Sequence, residues 1–173
     1  ESNQEVGIFG EKSKAPYSEK FDGLLIANGA RSELRPTQWV KIDKAYPWGA
    51  KWTIVPECSV LDPKILHQFH DRSQIMLGIL PTGATPDQPN ERLSSVFWSM
   101  PSTQIDHFHK NHHDYQQWLD KVDTRWPETA QWLKSVIHPP EQQQQWLSAH
   151  YRDVVMSKFG QSRIGVIGDA AHA

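Results

Sequence analysis

Short apolar runs near both ends of the chain predict strands. Residues 21–27 rise into a run of Leu and Ile, residues 164–167 form a run of Ile and Val, and each run breaks at a glycine turn; residues 6–9 form a third short apolar stretch. Continuous apolar runs of this length are typical of strands that are covered on both faces. We therefore expect buried strands near the start and the end of the chain.

Between these runs, large apolar residues alternate with polar or small ones. From Trp48 to Ile54 they fall on every second position, which predicts a strand with one apolar face. Turn-rich stretches separate further segments of this kind. The pattern predicts strands at residues 38–43, 48–56, 73–81, 92–100 and 151–159, a loop at 82–90 and a short helix at 62–69.

After Pro101 the hydrophobic period becomes that of a helix. The apolar stripe consists of Ile105, Phe108, Tyr115, Trp118, Leu119 and Val122. Residues 103–106 resemble a capping box, a second helix is predicted from Pro127 to before Pro139, and the glutamine run at 142–145 predicts a small third helix. The expected fold class is α+β, a mixed or antiparallel sheet with packed helices.

Composition narrows the functional classes. The 173 residues are 38% hydrophobic, enough for a sizeable core, and a net charge of −2 gives no electrostatic case for nucleic acid or an anionic membrane. No apolar run approaches the roughly 20 residues that span a bilayer. The single cysteine, Cys58, cannot form an internal disulfide, so we expect a cytoplasmic protein.

The glycine turn after the last apolar run carries a candidate site. Gly168 places no side chain at the end of the strand, Asp169 supplies a carboxylate, and Ala170 and Ala171 keep the next turn thin. A carboxylate at this point could accept hydrogen bonds from the hydroxyls of a ribose or ribityl chain. The alternative is that Asp169 only N-caps a helix.

The turn after residues 21–27 offers donors to a nucleotide. Asn28 and Gly29 tolerate positive φ, while Ser32 and Arg35 supply a hydroxyl and a guanidinium that can reach phosphate or ribose oxygens. A β-hairpin is the alternative, but the charged stretch that ends at Pro36 does not alternate as a returning strand should. We therefore favour a nucleotide-facing edge.

Both turns have counterparts in one protein family. Residues 164–172 resemble the second flavin motif of the class A flavoprotein monooxygenases, the aromatic-ring and ubiquinone-type hydroxylases, in which the Asp contacts the ribityl chain of FAD. Residues 24–35 are similar to the family's other motif, an apolar strand followed by Asp-Gly, Ser and Arg, although Asn28 replaces the usual Asp. The resemblance implies that FAD is bound by Asn28, Gly29, Ser32, Arg35, Gly168, Asp169, Ala170, Ala171 and His172.

The resemblance also implies a domain organisation. Residues 1–37 and 159–173 would belong to an incomplete FAD-binding, Rossmann-like domain, and residues 38–158 would form a substrate-binding domain. No G-x-G-x-x-G occurs, so the part that holds the pyrophosphate is missing. Since the chain has no initiator methionine and stops inside a motif, we expect a central fragment of a longer enzyme that is inactive when isolated.

In the family, NAD(P)H as co-substrate reduces FAD, oxygen adds to the flavin, and the flavin hydroperoxide hydroxylates an aromatic or similar apolar small molecule. The resemblance implies the same function here. Because the cofactor carries that chemistry, we assign no catalytic acid, base or nucleophile. The substrate, the choice between NADH and NADPH, and the oligomeric state stay open.

Two alternatives to a hydroxylase remain. The first is a halogenase-like enzyme on the same scaffold, because Trp48 and residues 52–56 are faintly similar to a tryptophan-rich halogenase motif, with a different spacing. The second is a non-catalytic flavin-fold binding domain. In any of these proteins Trp48, Trp52 and Trp98 are the candidate substrate-binding residues, because alternation puts them on broad sheet faces, although core packing would explain them as well.

Other reactive residues give weaker patterns. His109 and His113 lie one helical turn apart, beside His107 and His112, but no cysteine or well-spaced carboxylate completes a metal site. We therefore predict a solvated helix face and no metal. Cys58 has no recognisable partner base, and no serine lies in a nucleophile-elbow pattern, so hydrolytic chemistry has no support.

Overall fold

The computed structural model describes residues 21–58, 60–108, 110–140 and 145–173. The described residues form two compact units: the first combines residues 21–46 with Tyr151–Ala173, and the second lies within Pro47–His150. The predicted α+β fold, with antiparallel strand pairing and packed helices, is confirmed. The assignment of FAD-binding and substrate-binding roles to parts of the chain stays a prediction.

The described residues contain eight strands, two α-helices and short 3-10 segments. The strands are β1 (Leu24–Ile26), β2 (Val40–Pro56), β3 (His67–Asp71), β4 (Ile75–Thr85), β5 (Gln88–Pro101), β6 (Leu147–Met156), β7 (Gly160–Gln161) and β8 (Ile164–Val166). The helices are α1 (His112–Asp123) and α2 (Pro127–Val136), and the 3-10 segments include Thr37–Trp39, Ser102–His107 and Gly168–Ala170. No helix in this part of the chain has the length and apolarity that crossing a membrane requires.

A three-stranded sheet in the order β1-β8-β7 lies in the first unit. β1 pairs in parallel with β8, with Leu24 opposite Ile164 and Ile26 opposite Val166. Gly165 lets the strands approach, since a Cβ there would lie 2.9 Å from a methyl group of Leu25. The small core of this unit consists of Ile26, Trp39, Val154, Met156, Val166, Ala170 and Ala171. Both apolar runs therefore form strands as predicted, and they lie side by side. The prediction that they are covered on both faces is wrong, because β1 is an edge strand of the described sheet in which Leu25 is 68% exposed, and Ile167 after β8 is 46% exposed.

A five-stranded sheet has the order β3-β4-β5-β2-β6. The predicted strands at 38–43 and 48–56 are one continuous strand, β2, which pairs antiparallel with β5 from Trp48 to Pro56. The predicted loop at 82–90 is wrong: β4 and β5 form a hairpin in which Thr85 lies opposite Gln88. Gly83, at φ 72°, accommodates an irregular register between Pro81 and Thr85, so residues typical of turns continue the strand.

The predicted helix at 62–69 is also wrong. Asp62 Oδ1 accepts a hydrogen bond from the backbone N–H of Lys64, which makes a turn, and β3 follows as an edge strand. Pairing of β3 with β4 places Phe69 against the main core, so tertiary packing outweighs local helix preference. The predicted strand at 6–9 and most of the glutamine run lie outside the described residues.

The helical stripe after Pro101 is divided between two elements. Ser102–His107 is a 3-10 segment without a side-chain cap, so the predicted capping box is wrong. α1 begins later, where the side chain of Asn111 accepts a hydrogen bond of 2.9 Å from the backbone N–H of Asp114. α2 agrees with the prediction, with Pro127 in its first turn and an end before Pro139.

The helices cover one face of the sheet in the second unit. Residues of β4 and β5 pack with the apolar stripes of both helices to form the main core, which includes Leu77, Ile79, Val96, Trp98, Met100, Trp118, Leu119, Val122, Trp132 and Leu133. The rings of Trp98 and Trp118 meet edge to face with centroids 6.1 Å apart. Trp98 is therefore a core residue of this unit.

Candidate functional site

The two predicted motifs meet at one edge of the parallel strand pair. Because β1 and β8 are parallel, the turns that follow them leave from the same end of the sheet. The pairing continues past the strands, since the N–H of Ile167 donates to the carbonyl oxygen of Ile26 over 3.0 Å. Asn28 and Gly29 therefore emerge beside Gly168. Ligands of open α/β sheets bind at such carboxyl ends.

The turn after β8 has the thin, open form that its sequence predicts. Gly168 has a φ of 58°, and among the described residues no atom beyond its two chain neighbours lies within 4 Å of the place where a Cβ would stand. The N–H groups of Ala171 and His172 both donate to the carbonyl oxygen of Gly168. Asp169 is exposed, while Ala170 and Ala171 are buried. Since the cap position of this 3-10 segment is Ile167, Asp169 is not an N-cap.

The turn after β1 is not a hairpin, because the strand beside β1 is β8. Gly29 has a φ of 86°, and its carbonyl oxygen accepts a hydrogen bond of 3.0 Å from the N–H of Ser32. The buried hydroxyl of Ser32 accepts from the N–H of Leu34 over 3.2 Å. Ser32 therefore shapes the turn, while Asn28 is exposed at its tip.

Arg35 joins the two turns. Its Nη1 donates to the carbonyl oxygen of Ala170 over 3.2 Å, and its Nη2 donates to the carbonyl oxygen of Ala30 over 3.0 Å. Nη2 also donates to Asp43 Oδ2 at 2.7 Å, which forms an ion pair. The side chain of Arg35 is only 3% exposed. Its guanidinium is therefore committed to holding the protein's own backbone and a carboxylate.

Asp43 is shared between two arginines. Its second oxygen accepts a hydrogen bond from Nε of Arg152. Burial alone would raise the pKa of Asp43, but the hydrogen bonds and charges of Arg35 and Arg152 outweigh burial and hold that pKa below its usual value. Local sequence pattern could not predict this network, because Asp43 and Arg152 lie 109 residues apart and in neither motif.

These residues line a cleft of 640 Å³ in the first unit. Its walls are formed by Arg31, Ser32, Glu33, Arg35, Thr37, Val40, Asp43 and Arg152. Three arginines face two carboxylates, and Nε of Arg35 is buried without an acceptor among the described residues. The cleft thus has an excess of cationic side chains.

The candidate tryptophans lie on opposite faces of the sheet in the second unit. Trp52 lies opposite Phe97 in the β2–β5 register, whereas Trp98 lies opposite Lys51. Trp48 lies four residues before Trp52 on the same strand, so the two side chains point to the same face, and both are half-buried. The main core, as far as the structure describes it, includes Trp98 but neither Trp48 nor Trp52. The face with Trp48 and Trp52 is therefore not the one packed against α1 and α2.

A second feature marks this open face. A Cβ added to Gly78 would lie 1.8 Å from the ring of Phe97, so the ring lies directly over the glycine backbone. Ile54 and Leu80 lie on the same face as Trp52 and Gly78. They are 39% and 42% exposed. The face is broad, apolar and partly accessible. The structure brings neither Trp48 nor Trp52 into a described cavity.

The described histidines do not converge. His113 Nε2 shares a hydrogen bond of 2.8 Å with the side-chain amide of Gln117, His107 and His112 are exposed, and His109 lies outside the described residues. Within the described ranges no three His, Cys, Asp or Glu side chains are grouped as metal ligands would be. Cys58 is buried, and burial raises the pKa of its thiol, which disfavours a reactive thiolate.

Solved structures share this fold. Neither a family model nor a curated protein matches the chain. The chain is similar to CmlS, a flavin-dependent halogenase, with a TM-score of 0.66, 11% identity and coverage of 99% of this chain and 29% of that one. It is similar to the flavin-dependent brominase Bmp2, with a TM-score of 0.66, 16% identity and coverage of 100% and 42%.

A third similar structure is PqsL, a probable FAD-dependent monooxygenase from Pseudomonas aeruginosa, with a TM-score of 0.67, 10% identity and coverage of 98% and 46%. The chain spans less than half the length of each of these three proteins. At such low identity the likeness concerns the fold alone. It confirms, at that level, the resemblance that the two motifs predicted: this chain has the fold of a segment of the flavin-dependent halogenases and monooxygenases.

Proposed function

We propose that this chain is part of an FAD-dependent oxidoreductase and that the turn after β8 holds the ribityl chain of the cofactor. The observation that carries the proposal is the meeting of two turns, each with a glycine at positive φ, at the carboxyl end of parallel strands. This is the end at which α/β sheets bind nucleotide cofactors. The similar proteins CmlS, Bmp2 and PqsL, which are flavin-dependent halogenases and a probable FAD-dependent monooxygenase, support the same assignment.

The residues present fit a hydroxylated chain. Asp169 offers an exposed carboxylate, which can accept charge-assisted hydrogen bonds from ribityl hydroxyls. Gly168 leaves open space beside it, and the buried alanines that follow add no bulk. When bound, FAD would supply the redox and oxygen chemistry. The role of Asp169 is to bind and orient the cofactor, and Asn28, Gly29 and His172 would complete the surroundings.

We further propose that the open sheet face of the second unit binds the substrate through Trp48 and Trp52. Flat aromatic side chains on a partly exposed apolar face suit an aromatic or similarly apolar small molecule. Phe97, over Gly78, extends that surface. Trp98 does not enter this proposal, because it packs in the core against Trp118. The face would exclude water from the substrate and orient it.

The favoured activity is NAD(P)H-dependent monooxygenation of such a substrate. Halogenation on the same scaffold is the second candidate, because two of the similar structures are a halogenase and a brominase. Both candidates require FAD, and they differ in whether halide is consumed. The cationic cleft beside Arg31 and Arg152 offers donors for the phosphates of the nicotinamide co-substrate.

The test is made on the full-length protein that contains this chain. We expect it to bind FAD and to consume oxygen when NAD(P)H and an aromatic substrate are supplied. Mass spectrometry of the product, with chloride or bromide present, distinguishes hydroxylation from halogenation. A pure, folded full-length protein that binds no FAD would contradict the whole proposal. One that binds FAD but never consumes oxygen would leave only a flavin-binding role.

A further inference from the structure

We propose that Asp43 and Arg152 are positioning residues for the turn that presents Asp169. They lie on β2 and β6, in neither motif, and reach that turn through Arg35. The inference rests on the proposed function, because it gives the turn a cofactor to hold. It assigns Arg35 to the same positioning role rather than to direct contact with the cofactor.

The first step is the bond from Arg35 to Ala170. The carbonyl oxygen of Ala170 belongs to the peptide between Ala170 and Ala171, one residue beyond Asp169, so a donor fixed at that oxygen restrains the backbone of the turn that presents the carboxylate. A charged donor makes a stronger hydrogen bond than a neutral one. The orientation of Asp169 therefore depends on where the guanidinium of Arg35 is held.

The second step is the counter-charge. A guanidinium that is 3% exposed needs a carboxylate nearby, and Asp43 supplies it at 2.7 Å. If Asp43 were neutral, the buried cation would gain by moving toward water. Such a movement would weaken the bond to Ala170. Asp43 therefore keeps Arg35 in place.

The third step is the anchor of Asp43 itself. Its carboxylate is 27% exposed and lies on a strand, where its rotamer is not fixed by packing alone. Nε of Arg152 holds the oxygen that Arg35 does not use. With both oxygens engaged, the carboxylate has one orientation. Arg152 therefore acts on the turn through two intermediates, and its effect should be the smaller one.

The chain offers a matched control on the same strands. Lys44 and Asp153, the next residues along β2 and β6, form an ion pair at 3.4 Å. Consecutive residues of a strand point to opposite faces, so this pair lies on the other side from Asp43 and Arg152. Asp153→Asn removes the same charge from the same pair of strands without touching Arg35.

The experiment compares Asp43→Asn, Asp43→Glu, Arg152→Met and Asp153→Asn in the full-length protein. The FAD dissociation constant, the visible circular dichroism of bound flavin and the melting temperature of the apoprotein are measured for each. We expect a roughly tenfold weaker FAD affinity for Asp43→Asn, by analogy with residues that support the ligands of metal sites. Asp43→Glu should have an FAD affinity close to that of the wild type, and Arg152→Met should bind FAD about threefold more weakly. Asp153→Asn should bind FAD as tightly as the wild type.

The outcomes separate this inference from the proposed function. A wild-type protein that binds no FAD contradicts the proposed function. A wild type that binds FAD, with Asp43→Asn and Asp153→Asn indistinguishable in affinity and flavin spectrum, overturns the positioning role alone. If Asp43→Asn fails to fold, Arg152→Met decides: a changed flavin spectrum at saturating FAD supports the role, and an unchanged spectrum and affinity overturn it.

Discussion

Arg35 and Ala170 lie 135 residues apart in the sequence, yet Nη1 of the arginine donates to the carbonyl oxygen of the alanine over 3.2 Å. This bond joins the turn after β1 to the turn after β8. The arginine of one motif thus stabilises the backbone of the other.

Asp169→Ala should weaken FAD binding by the full-length protein. A charge-assisted hydrogen bond contributes roughly 1.5–3 kcal/mol, so the dissociation constant should rise about tenfold to a hundredfold. Flavin fluorescence titration measures it. Asp169→Asn keeps an acceptor, so its FAD dissociation constant should lie between those of the wild type and Asp169→Ala. Asp87→Ala, an exposed change in the β4–β5 turn, serves as the control. Equal affinity in Asp169→Ala and Asp87→Ala would remove Asp169 from the site.

Asp43 should make stability depend on pH in a defined direction. Its pKa in the folded protein lies below the ordinary value of 3.8, because the arginine contacts outweigh burial. A depressed folded pKa gives stability that is present above the unfolded pKa and is lost as pH falls through the folded pKa. The unfolding free energies of wild type and Asp43→Asn should therefore differ at pH 7 and converge below pH 3.8.

Urea unfolding of both proteins from pH 7 to pH 3 checks this expectation. Comparing the two proteins at each pH cancels the titration of the other carboxyl groups. A difference that stays constant across this range would show that the Asp43 side chain acts by its shape and not by its charge.

The tryptophans of the two sheet faces should respond differently to truncation. Trp98→Ala should cost about 3–5 kcal/mol of unfolding free energy, because it empties a core position against Trp118. Trp52→Ala should cost much less, because the side chain is half-buried, but it should change substrate-stimulated NAD(P)H oxidation. Chemical unfolding and steady-state kinetics separate the two effects. Loss of stability in Trp48→Ala and Trp52→Ala as large as in Trp98→Ala would argue against a substrate face.

Asn111 should contribute to stability as the N-cap of α1. Asn111→Ala removes the acceptor for the N–H of Asp114 and should cost about 1 kcal/mol. Asn111→Asp keeps that acceptor and should leave the midpoint of urea unfolding nearly unchanged. Identical midpoints for the alanine and aspartate variants would mean that the cap has no energetic role. Neither variant should alter FAD affinity.

The sequence predicted those features that depend on local pattern. The apolar runs before Gly29 and Gly168 gave β1 and β8, and prolines gave the limits of α2. The loop at 82–90 was predicted wrongly because Gly83 is typical of turns, whereas here it allows an irregular register inside a strand. Local sequence pattern could not distinguish a glycine that ends a strand in a turn from one that allows an irregular register inside a strand.

The hydrogen bonds and ion pairs that support the two turns could not be predicted from local sequence pattern. Asp43 and Arg152 are brought together by the fold, and an aspartate in an otherwise exposed strand segment looks like an ordinary surface residue. Similarly, alternation placed Trp52 and Trp98 on strands, but only the register with Lys51 and Phe97 shows that they point to opposite faces. The position of a residue along a strand can be predicted from the neighbouring sequence, whereas the residue opposite it on the next strand is set by the fold.

The parallel pairing of β1 with β8 has a consequence for the order of folding. Its partners are separated by most of the chain, so forming it early would close a very long loop at a high entropic cost. The second unit has its own core, and its two ends run in neighbouring strands, with Gly49 close to Ala149. Once that unit has folded, the effective loop is short. We therefore expect the β1–β8 sheet to form last, after the second unit, and amide exchange in β1 to report that order.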